Sequence, residues 1–405
     1  MKTLVLTDEI EKAAEILRSG GLVAVPTETV YGLAGHGLDP AVIERIYEVK
    51  GRPAVKPISL MVPGADAIPA LCRDVPPAAF ALAGRFWPGP LTLVLPAREA
   101  VPALLRAGGG TVGLRCPRQE QTLALLRLLD FPLGVPSANP SGEKSPVTAG
   151  EVLDWFDGKI DAVIDGGPCA LGEASTVLDL SVRPYRILRQ GSLPREAITD
   201  ALEEALTLVG ITGPTGSGKT TVLQALAERG ALVLDADRIY HELLDRSPAL
   251  RGDLARAFPA CLKDGRPDRK LLRDIVFRDR EALAALNRLT HPRVIDEIRR
   301  RLRAFAWEGG SLAAVDAVAL PGSALADRCA LTLAVTAPEE TRVRRIMARD
   351  GLTREEALLR VRAQHPEAWF RERCDAVLVN DGSPEDLTRQ IQPILEGVRP
   401  HGKPA

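Results

Sequence analysis

The chain is expected to be α/β throughout and to fold as two successive parts of different plan. Three observations carry this. Residues 206–395 alternate short apolar runs with helical patterns, the signature of a parallel sheet wrapped by helices. The first strand-to-helix junction of that stretch reads Gly213-Pro214-Thr215-Gly216-Ser217-Gly218-Lys219-Thr220, a complete G-x-x-x-x-G-K-[ST] phosphate loop. Residues 1–205 mix apolar runs with helical patterns but lack that even alternation, so a sheet of mixed strands is expected there.

Size and charge narrow the class. A chain of 405 residues has room for two or three domains. Its 52 Lys and Arg against 53 Asp and Glu give no global attraction to nucleic acid, although a local basic groove stays open. No apolar run is long enough to cross a bilayer. The N-terminus reads as a strand and a charged helix rather than a signal peptide, so no membrane association and a cytoplasmic location are expected. The six cysteines form no C-x-x-C pair and the five histidines form no cluster, which points to reduced thiols rather than structural zinc.

Taken in order, helical patterns are expected over 8–19, 40–49, 119–129 and 147–155, with strands in the apolar runs 21–26, 91–96 and 111–115. Gly191-Ser192-Leu193-Pro194 opens a helix that leads into the second part. There, strands are expected at 207–212, 232–235, 312–318, 331–336 and 376–379, and helices at 279–287, 294–306 and 339–349. The domains are therefore expected at 1–205 and 206–395, with 396–405 as a flexible Pro/Gly-rich tail.

The phosphate loop implies nucleoside triphosphate binding. Gly213, Gly216 and Gly218 let backbone N–H groups turn onto phosphate oxygens, with Ser217 and Thr221 beside them. Lys219 reaches the outer phosphates, and the Thr220 hydroxyl can ligate Mg²⁺ accompanying ATP. One strand later, Asp235 and Asp237 stand where a carboxylate could hold Mg²⁺ or accept a proton from an attacking hydroxyl; the plainer reading is a helix cap. A basic stretch carries Arg342, Arg344, Arg345 and Arg349, as a solvated face or as a lid over the transferring phosphoryl group.

This half resembles dephospho-CoA kinase in the runs at 210–222, 234–244, 289–298, 333–357 and 360–383. The resemblance implies a P-loop fold with a helical lid and acceptor region, Asp237 as base toward the ribose 3′-hydroxyl of dephospho-CoA, His291 in the acceptor region, and Arg345 and Arg349 as lid arginines. Two departures stand out. The acidic residue of the family's P-L-L-x-E run is absent near Gly322, and the loop reads Gly-Pro-Thr-Gly where Gly-Gly-Ile-Gly is usual.

Three clusters mark the first half: Pro26-Thr27-Glu28-Thr29-Val30-Tyr31-Gly32 at a strand end, Lys50-Gly51-Arg52…Lys56 after a helix, and Pro136-Ser137-Ala138-Asn139 in a polar turn. Singly each also reads as a cap, a solvated basic turn or an Asn/Ser loop. Together with Thr111-Val112-Gly113-Leu114-Arg115, Ser175-Thr176 and Ile187-Leu188-Arg189-Gln190-Gly191 they resemble the threonylcarbamoyl-AMP synthase (YrdC-like) family. That resemblance implies a twisted open α/β sheet with a concave cationic cavity. It also implies conversion of L-threonine, bicarbonate and ATP to threonylcarbamoyl-AMP and pyrophosphate, feeding tRNA modification through partner proteins. Lys50, Arg52, Lys56 and Arg189 would meet the triphosphate, Lys50 and Arg52 acting catalytically. Ser137 and Asn139 would fix the nucleotide, and Thr27, Tyr31, Arg115 and Ser175 would hold threonine. Met61 stands where relatives of the longer type tend to place His.

The expected function is thus a bifunctional enzyme. Two alternatives stay open: a second half kept only as a nucleotide-binding scaffold or as a kinase for another small acceptor, and a first half acting mainly as an RNA-binding maturation factor with direct tRNA contact.

Overall fold

The computed structural model describes residues 2–263 and 266–396, so the tail expected at 396–405 lies, apart from Glu396, outside the described residues. The chain divides into two compact units. One is Met1–Leu202 with Trp307–Gly309; the other is Glu203–Ala306 with Gly310–Ala405.

In the first unit ten strands form one sheet: β1 (Leu4–Leu6), β2 (Val23–Val25), β3 (Gly32–His36), β4 (Leu60–Met61), β5 (Leu91–Pro96), β6 (Thr111–Arg115), β7 (Leu133–Gly134), β8 (Ala162–Ile164), β9 (Thr176–Asp179) and β10 (Arg186–Arg189). Their order is β1-β8-β2-β3-β7-β4-β6-β5-β9-β10. Parallel pairs such as β5/β9 stand beside antiparallel ones such as β5/β6, so the sheet is mixed. Strands β4 and β7 have two residues each, too few to show a period in sequence. Helices α1 (Ile10–Arg18), α2 (Pro40–Lys50), α3 (Ile68–Leu71), α4 (Pro77–Phe86), α5 (Glu120–Leu128), α6 (Ala149–Phe156) and α7 (Arg195–Glu204) complete the run. Ala13, Ala14 and Leu17 of α1 pack with Leu125 and Leu126 of α5 and with Val23, Val25, Ala162 and Ile164 of the sheet. Helix α2 is closed at both ends. Asp39 caps its start by accepting the Ala41 N–H, Pro40 presets the first turn, and Gly51 closes it in the left-handed region at φ 56°. The closure delivers Lys50 and Arg52 to fixed positions.

In the second unit the sheet is wholly parallel, in the order β12-β15-β11-β16-β17: β11 (Thr207–Thr212), β12 (Leu232–Asp235), β15 (Leu312–Asp316), β16 (Leu331–Thr336) and β17 (Ala376–Val379). A short hairpin, β13 (Leu262–Lys263) with β14 (Arg266–Pro267), lies apart. The helices are α8 (Lys219–Glu228), α9 (Ala236–Arg246), α10 (Pro248–Ala257), α11 (Arg269–Arg278), α12 (Arg280–Trp307), α13 (Glu339–Asp350), α14 (Arg354–Arg362), α15 (Glu367–Arg371) and α16 (Pro384–Glu396). Two expectations are corrected. Strand β15 ends at Asp316, not at 318. The two helices expected at 279–287 and 294–306 are one, α12, which runs through Pro292. Proline removes one ladder hydrogen bond. Around it the Thr290 hydroxyl donates to Leu286 O and the Arg293 guanidinium to Leu289 O, while Val294, Ile298 and Leu302 are buried and hold the helix in line.

Candidate active sites

The first unit holds a cavity of about 350 Å³ on one face of its sheet. Strand periodicity builds the floor: Thr92 and Val94 of β5, Thr111, Gly113 and Arg115 of β6, and Val177 of β9 are alternate residues on neighbouring strands and share a face. Gly113 is required by space, because a Cβ there would lie 2.8 Å from Ser59 Oγ. Arg52, Arg115 and Arg189 all line the cavity, with Ser59, Ser137, Ser145 and Ser175 between them. Arg189 is aimed by a bulge at Leu188 in the β9/β10 ladder, and its Nε and Nη2 donate to Ser175 O at 3.0 and 2.9 Å. Burial, then the Arg115 charge, makes the Arg189 cation easier to deprotonate than usual.

Arg115 is held from behind. Its Nη2 meets Glu28 Oε1 at 2.9 Å and Thr29 Oγ1 at 2.8 Å, and its Nε donates to Gly89 O at 3.3 Å. Among the described residues Nη1 has no protein partner. Glu28 and Thr29, unassigned in the sequence, are thus the residues that orient this guanidinium.

Four expected contacts are not in the cavity lining. The Thr27 hydroxyl accepts the Thr29 and Val30 N–H groups and donates to Val30 O, so Thr27 shapes a turn. Lys50 is buried, and its ammonium donates to the carbonyls of Ser137 and Asn139; burial, then the Arg52 charge, lowers it to about 7. The Asn139 amide donates to Pro140 O and Glu143 O, within its own turn. Lys56 is solvent-exposed, and its carbonyl accepts from Arg52 Nε at 3.0 Å. Lys50 and Asn139 therefore shape the Ser137 turn from outside. Tyr31 does line the cavity, but its hydroxyl donates to Gly167 O at 2.8 Å and accepts from Gly166 N, and burial pushes it up to about 12. It presents a ring wall, not a free hydroxyl.

In the second unit the phosphate loop joins β11 to α8. Gly213 sits at φ 132° against Val335 O, where a Cβ would come within 2.1 Å. Lys219, the first residue of α8, folds back so that Nζ donates to Gly213 O at 3.0 Å. Ser217 is buried and its hydroxyl has no partner among the described residues; Thr220 at the helix start is exposed. Thr221 follows in the same first turn.

Opposite the loop, Asp235 takes the plainer of its two readings. Its Oδ1 accepts the Arg238 N–H and caps α9. The adjacent strand supplies a carboxylate the sequence reading missed. Asp316 pairs in register with Asp235, its Oδ1 has no partner among the described residues, and burial pushes it up to about 6 despite the opposing pull of Lys219. An apolar strand ending in Asp was the available signal, hidden by extending that strand to 318.

Asp237, in the first turn of α9, lines a mostly apolar groove of about 220 Å³ with Tyr240, Thr290, His291, Ala317 and Val318. The residue is exposed to that groove, yet protein crowding around its carboxyl group, then the Asp235 charge, raises it above the ordinary range. Asp237 and His291 are thus brought together. Arg345 reaches the phosphate loop, as described below. Arg349 does not line the groove: it pairs with Asp350 at 2.7 Å.

Comparison with known proteins agrees with this division. The Sua5/YciO/YrdC family model, described as telomere recombination, matches residues 15–191, and the CoaE dephospho-CoA kinase model matches 207–386. A threonylcarbamoyl-AMP synthase of Pyrococcus abyssi is 46% identical over 48% of this chain and 58% of its own length. The chain thus spans little more than half of that relative. A dephospho-CoA kinase of Carboxydothermus hydrogenoformans is 36% identical over 47% of this chain and 94% of its own length. A crystal structure of P. abyssi Sua5 complexed with L-threonine aligns at 29% identity and a TM-score of 0.48, covering 78% of this chain and 93% of that one. The chain is a fusion whose first half matches the Sua5/YciO/YrdC family model and whose second half belongs to the dephospho-CoA kinase family.

Proposed function

We propose that the chain runs two ATP-dependent reactions at separate sites. In the first unit the amine of L-threonine adds to bicarbonate-derived CO₂, and the resulting carbamate oxygen attacks the α-phosphorus of ATP, expelling pyrophosphate. The observation that supports this is the convergence of Arg52, Arg115 and Arg189 on one pocket with no acidic residue in its lining. Arg115, held by Glu28 and Thr29, offers Nη1 to the threonine carboxylate. Arg52 and Arg189 take the phosphates, and Ser137 and Ser175 supply neutral contacts. A pocket closed over the carbamate would protect it from water. Tyr31 contributes a wall, while Thr27, Lys50 and Asn139 keep the turns in shape and Lys56 stays peripheral. The product would pass to partner proteins that modify tRNA.

In the second unit the 3′-hydroxyl of dephospho-CoA gives its proton to Asp237 and attacks the γ-phosphorus of ATP, leaving ADP. Support comes from Asp237 lying at the meeting point of the acceptor groove and the carboxylate pair opposite the phosphate loop. Its raised affinity for protons makes it a stronger base than an ordinary carboxylate. Lys219 and the loop N–H groups hold the phosphates. The unpartnered Asp316 oxygen and the Thr220 hydroxyl fit Mg²⁺, with Asp235 Oδ2 in reserve; bound there with ATP, the ion would neutralise phosphate charge.

The test is product analysis with each substrate omitted in turn. Pyrophosphate must appear only with threonine and bicarbonate together, and coenzyme A plus ADP only with dephospho-CoA, the latter lost in Asp237→Asn. ATP binding without coenzyme A would leave the second half as a scaffold or as a kinase for another acceptor. Salt-dependent tRNA binding without pyrophosphate release would favour an RNA-binding role for the first.

A further inference from the structure

The phosphate loop is held by more than its own motif. Gln364, just past α14, accepts the Thr215 N–H on Oε1 at 2.8 Å and donates Nε2–H to the Thr215 hydroxyl at 2.9 Å. Arg342 of α13 closes a triangle: Nη2 donates to Gln364 Oε1 at 2.7 Å and Nε to Thr215 O at 3.1 Å. The N–H, the carbonyl and the hydroxyl of one loop residue are all taken up by two side chains distant in sequence.

A second hold lies two residues on. Asn380, after β17, donates Nδ2–H to Ser217 O at 2.8 Å and accepts from Arg345 Nη2 at 3.3 Å. Gly218 leaves room for it, since a Cβ there would lie 2.0 Å from Asn380 Nδ2. Arg345 Nη1 reaches Gly216 O and Ser217 O at 3.4 and 3.3 Å.

The two arginines differ. Arg342 is buried and its contacts run from 2.7 to 3.1 Å. Those of Arg345 all lie at 3.3 to 3.4 Å, the weak end of the hydrogen-bond range. A guanidinium bonds an anionic phosphate oxygen more strongly than a neutral carbonyl. Arg345 therefore gains by leaving the loop carbonyls when a triphosphate arrives, whereas Arg342 is held in the triangle by Nε and Nη2.

We propose that Arg342, Gln364 and Thr215 form a positioning device that fixes the entry of the phosphate loop and so sets its affinity for the nucleotide, while Arg345 is parked on the loop until ATP releases it. The proposal rests on the kinase reading of this unit. Gln364 and Thr215 are positioning residues; neither is placed on a substrate.

Steady-state coenzyme A formation by the full chain, with ATP and dephospho-CoA varied separately, tests it. Gln364→Leu and Thr215→Val are each expected to raise KM for ATP about tenfold while leaving kcat and KM for dephospho-CoA within about twofold. The double variant should match the singles, because the three residues act as one unit. Gln364→Glu can accept from the Thr215 N–H, the Thr215 hydroxyl and Arg342, so it should return KM to within about threefold of wild type. Pyrophosphate release by the first unit serves as the internal folding control. If Gln364→Leu misfolds, Thr215→Val, nearly isosteric, decides alone. An unchanged KM for ATP, independent effects that multiply in the double variant, or a loss falling on dephospho-CoA would overturn the proposal. If wild type binds ATP but makes no coenzyme A, the kinase reading fails by itself, and the triangle is judged by calorimetric ATP affinity in the same variants, with the same tenfold loss expected.

Discussion

The two proposed nucleotide sites differ in how they would meet phosphate charge. The first unit gathers three guanidiniums from a loop after α2, from β6 and from the bulged β10. Each is steered by side chains or carbonyls behind it: Arg115 by Glu28, Arg189 by Ser175, Arg52 by the carbonyls of Lys56 and Pro57. The second unit uses the start of α8, a glycine-bent backbone and one lysine. A side-chain cage distributes its charge and stores like-charge repulsion that an anion relieves. A backbone cradle concentrates function in few positions and depends on what holds the loop still. Loss of one cage member should therefore be partial and entangled with stability, while loss of the lysine should be nearly complete and structurally silent.

Lys219→Ala is the largest test of that contrast. Coenzyme A formation should fall about 1,000-fold or more, with pyrophosphate release at the first site and the melting temperature unchanged. Arg115→Ala should lower kcat/KM for threonine about 100-fold. It should also destabilise the first unit by about 3–5 kcal/mol in denaturant unfolding, because Glu28, with 4% of its side chain exposed, is left as a buried unpaired charge. The pair Glu28→Gln with Arg115→Met should regain stability without activity, which separates the two consequences.

Asp316 sharpens the comparison from the other side. Its carboxyl, ordinarily at 3.8, is pushed up to about 6. A raised folded value means that the folded state holds the proton more tightly, so this stabilisation is present below about pH 4 and lost as pH rises through 6. At neutral pH the ionised Asp316 is a strain on the unliganded protein. Asp316→Asn should flatten the pH dependence of the melting temperature between 4 and 7 and raise stability at pH 7. It should lower coenzyme A formation about thirtyfold if the residue helps hold Mg²⁺. An unchanged melting profile together with unchanged coenzyme A formation would remove Asp316 from the site. The smallest effect is expected for Thr27→Val: about 1–2 kcal/mol of stability from the lost turn bonds, with threonine KM within about threefold. A larger rise in KM would return Thr27 to the substrate site.

How much of this was legible in the sequence depended on what carried the signal. The phosphate loop was plain, because glycine spacing, Lys219 and Thr220 declare a backbone geometry locally. Four of the five strands in the second sheet have the limits read from their apolar runs, since a parallel strand buried on both faces is a continuous apolar word. The first sheet was harder. Strands β4 and β7 exist only because long-range neighbours pair with them. In the cavity, residue type was a poor guide to orientation. Thr27, Lys50 and Asn139 look chemical but are turned toward nearby backbone groups. Thr92 and Thr111 were findable, because alternate residues on β5 and β6 must share a face with Arg115. Glu28 could not be ranked above Thr27 without knowing that β6 brings Arg115 beside it. The Gln364–Thr215 contact, 149 residues apart, has no local signal at all.

The independence of the two sites is tested most directly by mass spectrometry of products from the purified full chain given ATP, Mg²⁺, threonine, bicarbonate and dephospho-CoA together, comparing wild type with Lys219→Ala and Arg115→Lys. Arg115→Lys keeps a charge opposite Glu28 but loses the forked donor. Wild type should yield both threonylcarbamoyl-AMP and coenzyme A, Lys219→Ala should lose coenzyme A alone, and Arg115→Lys should lower threonylcarbamoyl-AMP alone, by up to about 100-fold at limiting threonine. A wild-type chain that yields only one product, or either substitution stopping both, would contradict that independence.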